Sequence, residues 1–74
     1  MFETLKKILV DELQIDADKI SLDSELSNDL GINSIELADL VMLCEEKFGI
    51  EIGDEDISKF ITIKDVVNYL EAHK

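Results

Sequence analysis

The chain has 74 residues, with 18 acidic side chains against 7 basic ones, all lysine, and a formal net charge of −11. That length supports one small domain over residues 1–74, whose core contributes only a few kcal/mol, roughly 3–5. So few cations offer no basic face for nucleic acid, the lone Cys44 excludes an internal disulfide, and no apolar run approaches the roughly 18 residues of a membrane span. The opening Met1-Phe2-Glu3-Thr4-Leu5-Lys6-Lys7 lacks the basic-then-apolar order of a secretory signal, which with a single cysteine points to a cytoplasmic setting.

Along the chain, helical periodicity comes first at Phe2, Leu5, Leu9 and Leu13, a stripe that Ile8 widens. Gln14 to Ile32 shows no clear period but carries Ile15, Ile20, Leu22, Leu26, Leu30 and Ile32. Those residues suit an ordered loop pinned across a bundle, with a helical turn near Leu26–Leu30. The strongest stripe follows, at Leu37, Leu40, Val41, Cys44 and Phe48. Asn33 is placed to cap that helix with Glu36 closing a capping box, and Gly49 to end it in a left-handed turn. Asp54-Glu55-Asp56 suits the first turn of a short helix with Ile57, Phe60 and Ile61 facing inward. The last stripe is Ile63, Val66, Val67 and Leu70, with Thr62 as its cap and Asp65 at the third helical position. No stretch alternates as a strand does. The fold class is all-α, a small four-helix bundle of three main helices and one short one.

The helix after Asn33 carries a second apolar line. At about 100° per residue the stripe above takes up one side, yet Ile35, Ala38 and Met42 line up on another, flanked by Glu36, Asp39, Glu45 and Glu46. One reading is a docking strip: apolar anchors inside an acidic rim that steers a basic partner groove. The other is a solvated acidic face with incidental hydrophobes. Leu43 falls on neither line.

Ser34 begins this helix. It can serve as a cap. Nucleophilic use fails for want of a base, because the only histidine is His73, near the end of the chain. A third reading is modification, since the free N–H groups and partial positive charge of a helix N-terminus favour a phosphate attached there.

The segment Asp29-Leu30-Gly31-Ile32-Asn33-Ser34-Ile35-Glu36-Leu37 resembles the Asp-Leu-Gly-x-Asp-Ser-Leu stretch of acyl carrier proteins. The likeness continues through Leu40-Val41-Met42 and Glu45-Glu46-Lys47-Phe48-Gly49-Ile50-Glu51-Ile52 to Asp54-Glu55-Asp56, and so covers essentially the whole chain. It implies that Ser34 takes 4′-phosphopantetheine from coenzyme A through a phosphopantetheinyl transferase. The arm would carry acyl groups as thioesters between enzymes of fatty-acid or polyketide synthesis, with no catalysis by the chain itself. By the same resemblance Glu36, Asp39, Glu45 and Glu46 would meet Arg/Lys patches on those enzymes, with Ile35, Ala38 and Met42 beneath and Asn33 on the same partner-binding face, the chain acting as a monomer. The family also shelters acyl chains between its helices. Asn33 stands where the family usually has Asp, removing a charge beside the attachment site and bearing on which transferase and partners the chain prefers. Ile35 replaces a common Leu, and Gly53 a frequent Pro.

An aminoacyl or peptidyl carrier is the neighbouring alternative. Those tend to be less acidic and to carry Gly-Gly-x-Ser, where this chain has Leu30-Gly31-Ile32-Asn33-Ser34. An unmodified module of the same fold would have no need of the Ser34 hydroxyl. Elsewhere, Cys44 reads as a buried small hydrophobe, His73 as frayed and exposed, and one Cys with one His makes no zinc site. Acidic runs such as Asp16/Asp18 lack the EF-hand spacing.

Overall fold

The computed structural model describes residues 1–73. It holds four helices: α1 (Phe2–Leu13), α2 (Ser34–Phe48), α3 (Asp54–Ile57) and α4 (Ile63–His73). Among the described residues the only β-type pairing is an isolated antiparallel bridge between Glu25 and Thr62.

Each long helix buries the stripe its sequence marks out. Leu5, Ile8 and Leu9 of α1, Leu40, Val41 and Cys44 of α2, and Ile63, Val66, Val67 and Leu70 of α4 form the core. Phe2, Leu13, Leu37 and Phe48, at the ends of those stripes, are half-buried against it. A fully buried Leu or Ile contributes about 1.5–3 kcal/mol, so Leu5, Leu9, Leu40, Ile63 and Leu70, none of them more than 1% exposed, anchor the bundle. Leu43 is half-buried between α1 and α2, where it lines the clefts on both sides of their contact with Glu12.

The helix ends follow local chemistry. Asn33 and Glu36 form the reciprocal capping box of α2. The Gly49 N–H closes its far end onto the Glu45 carbonyl at φ 66°, a left-handed conformation that glycine adopts without steric cost. Thr62 and Asp65 cap α4 the same way: Asp65 Oδ2 accepts from the Thr62 N–H at 3.0 Å, and Thr62 Oγ1 accepts from the Asp65 N–H at 3.3 Å. α1 ends differently, with Gln14 in the left-handed region at φ 55°.

Residues 14–33 connect α1 to α2 and are stitched to the start of α4. They include a short 3-10 turn at Ala17–Lys19, capped by Asp16. A helical turn closes from the Asp29 and Leu30 N–H groups onto the Glu25 carbonyl. Three backbone bonds then tie this segment across the fold: Lys64 N–H to the Leu22 carbonyl at 2.9 Å, Ile63 N–H to Ser24 at 3.0 Å, and Leu26 N–H to Ile61 at 2.8 Å. Two of them satisfy first-turn N–H donors of α4 that no intrahelical carbonyl can reach. Buried Ser24 keeps its hydroxyl satisfied by donating to the Lys19 carbonyl at 2.7 Å. Ile20, Leu26, Leu30 and Ile32 face the core, whereas Leu22 is exposed.

Leu22 therefore does not help to pin the loop, and two further expectations fail locally. Ile61 faces outward at 60% exposure. Its carbonyl is engaged by Leu26 N–H beside the Glu25–Thr62 bridge, so the backbone there is extended and neighbouring side chains alternate: Phe60 points in and Ile61 out. His73 is exposed but held, not frayed. Its ring stacks on Tyr69 with centroids 4.0 Å apart, and Nδ1 lies 2.9 Å from the Tyr69 carbonyl.

Candidate functional site

The head of α2 is an exposed corner. Gly31, at φ 67°, turns the chain out of the connecting segment, and a Cβ built on it meets nothing within 4 Å. Ile32 dives into the core, Asn33 caps, and Ser34 opens the helix with its side chain exposed. The cap takes one donor: Asn33 Oδ1 accepts from the Glu36 N–H at 2.8 Å. An exposed primary hydroxyl beside first-turn N–H groups suits a phosphodiester, because those donors and the helix dipole both favour negative charge. No histidine lies nearby to activate Ser34 as a nucleophile, since His73 stacks on Tyr69 in α4.

Beside Ser34 runs a groove of about 270 Å³ walled by Leu26, Ile32, Leu37, Phe60 and Ile61. Sequence reading did not find it, because its walls come from the connecting segment, α2 and the α3–α4 junction. The run Phe60-Ile61-Thr62-Ile63 gave no signal of it, because two apolar residues stand side by side and no alternation marks Ile61 as outward.

The second line of α2 is exposed as a strip. Ile35 is 74% and Met42 58% exposed, and Ala38 between them is exposed too. Asp39 and Glu46 stand beside it with exposed side chains. Glu36 and Glu45 differ. Each is half-buried with its carboxylate on a backbone donor: Glu36 Oε1 accepts from Asn33 N–H at 3.2 Å, and Glu45 Oε2 from Ile52 N–H at 2.8 Å. Cys44, behind them in the core, has its thiol pushed up to about 11 by burial and then by the nearby Glu45 charge, and is therefore inert. Among the described residues no cluster of three or more His, Cys, Asp or Glu is placed to hold a metal ion, and no helix is long and apolar enough to cross a membrane.

Comparison with known proteins agrees with this architecture. The family described as phosphopantetheine attachment site matches residues 3–70. An acyl carrier protein of Campylobacter jejuni (strain RM1221) is 46% identical over 73 residues, covering 99% of this chain and 95% of the relative. One of Clostridium acetobutylicum is 44% identical over 73 residues, with the same coverage of 99% and 95%. Among solved structures, an acyl carrier protein of Thermotoga maritima superposes with a TM-score of 0.84 at 28% identity, covering 95% of this chain and 81% of that one. By sequence and by fold, the chain belongs to the acyl carrier proteins, carriers rather than catalysts, whose prosthetic group is covalently bound 4′-phosphopantetheine.

Proposed function

We propose that Ser34 is the residue that takes 4′-phosphopantetheine from coenzyme A through a phosphopantetheinyl transferase. On this reading the chain, one carrier domain over residues 1–74, delivers acyl groups between enzymes of fatty-acid synthesis or a related acyl pathway. The observation that carries it is the exposed hydroxyl at the head of α2, inside the Gly31-Ile32-Asn33-Ser34 corner. When bound, the group supplies a terminal thiol that holds cargo as a thioester on a flexible tether, which raises the cargo's effective concentration at a docked enzyme.

The chain's own residues do the rest. Gly31 leaves the corner open to an approaching enzyme. Ile35, Ala38 and Met42 offer apolar anchors to a partner with a basic rim. Asp39 and Glu46 provide carboxylates that steer encounter, and Glu36 and Glu45 add their charge from positions fixed by backbone bonds. Leu26, Leu37, Phe60 and Ile61 wall a groove beside Ser34 that can shelter an apolar chain.

The test is intact mass after incubation with coenzyme A and a broad-specificity transferase. The wild type should gain one phosphopantetheine and Ser34→Ala none. A wild type that stays unmodified with several transferases, or a Ser34→Ala variant that still gains the adduct, overturns the assignment.

A further inference from the structure

The Asn33 side chain ends in an acceptor and a donor, and the fold uses the acceptor. Asn33 Oδ1 takes the Glu36 N–H at 2.8 Å, while the Asn33 backbone N–H donates to Glu36 Oε1 at 3.2 Å. The first of these bonds holds the carboxamide at the head of α2, and the second holds the Glu36 carboxylate there. Nδ2, on the same carbon, carries two hydrogens and sits on an exposed residue next to Ser34.

The helix itself does not require an amide here. Aspartate and serine cap as well as asparagine does, so the cap leaves the Nδ2 donor unexplained. Nearby carboxylates are already engaged. Glu36 is bound to the Asn33 N–H, and Asp29 Oδ2 accepts from the Glu25 N–H at 2.7 Å. The corner around Ser34 therefore pairs a neutral cap with a donor that the cap does not use, in a chain whose net charge is −11. That combination suits an anion carried on the adjacent residue, because a hydrogen bond to a charged acceptor is roughly twice as strong as a neutral one.

We propose that Asn33 is a positioning residue for the prosthetic group: its Nδ2 donates to an oxygen of the phosphodiester carried on Ser34. The inference rests on the Ser34 reading above. It assigns the capping box a second role, holding the first link of the arm at a fixed place while the remainder stays mobile.

The experiment compares wild type, Asn33→Ser and Asn33→Asp, each before and after loading from coenzyme A, with loading verified by intact mass. All three retain a capping side chain and should fold. Nitrogen–proton NMR of the wild type should show the Asn33 side-chain amide moving downfield on loading, while those of Asn28 and Asn68 stay in place. The change in melting temperature on loading should be most favourable for wild type, less so for Asn33→Ser, and least for Asn33→Asp, with a spread of several degrees. An adduct that leaves the Asn33 amide unmoved and the three loading shifts equal overturns this proposal alone. No adduct on the wild type removes the Ser34 reading and this proposal with it.

Discussion

Glu45 of α2 holds Ile52 by a hydrogen bond from the Ile52 N–H to Oε2, 2.8 Å long. Ile52 is buried, and its backbone donor sits just past the turn that ends α2. A side chain whose spacing suggests only a charged rim thus also fastens the segment leading to α3. Removing the acceptor leaves a part-buried N–H unsatisfied. Glu45→Ala should therefore lower stability by about 1–2 kcal/mol, whereas Asp39→Ala and Glu46→Ala should stay within about 0.5 kcal/mol of wild type. Urea denaturation of the three variants checks this. Equal losses would show that the Glu45–Ile52 bond carries no weight.

Charge sets a second expectation. With −11 on 74 residues the folded state repels itself, and added salt screens that repulsion over about 10 Å at 0.1 M. The melting temperature should rise as sodium chloride is added from a low-salt buffer. A flat response in a thermal scan would contradict this.

Asp65 gives a pH signature. Its carboxyl is held below the ordinary carboxylate value by hydrogen bonds from the Thr62 and Ile61 N–H groups. A folded-state pKa lower than the unfolded one stabilises above the unfolded value, near 3.9, and the contribution disappears as pH falls through the folded one. The stability gap between wild type and Asp65→Ala should be full at neutral pH and close in acid below about pH 4. Paired melting curves from pH 7 to pH 3 test the sign. A gap that widened in acid would contradict it.

Gln14 is the strained helix end. At φ 55° its backbone occupies a region that costs an L-residue roughly 1–2 kcal/mol. Gly49 ends α2 at φ 66° without that cost. Gln14→Gly should gain about 0.5–1 kcal/mol after the extra chain entropy of glycine. At about 4–8 °C per kcal/mol for a domain of this size, a thermal scan resolves the gain. A drop in melting temperature would mean that Gln14 makes stabilising contacts of its own.

How far the sequence carried the fold depends on whether a feature was local. The three long stripes, the Asn33–Glu36 box, the Gly49 stop and the Thr62–Asp65 box are written within a few residues of one another, and each stands where its spacing places it. The apolar strip of α2 was legible for the same reason, since Ile35, Ala38 and Met42 repeat with the helix and have no counterpart in the core. What pairs distant segments was not legible. The bonds from residues 22–26 to Ile61, Ile63 and Lys64 use backbone atoms, which leave no mark in side-chain identity. They hold Ile61 outward and shape the groove beside Ser34. Glu45 misled for a related reason: its partner is the Ile52 backbone, seven residues on.

The central claim is that one hydroxyl, on Ser34, receives the prosthetic arm. Its most direct measurement is fragmentation of the loaded protein by tandem mass spectrometry to locate the added mass. The account predicts the phosphopantetheine on Ser34 alone, with Ser21, Ser24, Ser27 and Ser58 unmodified. An adduct on any of those four serines, with Ser34 bare, would contradict it.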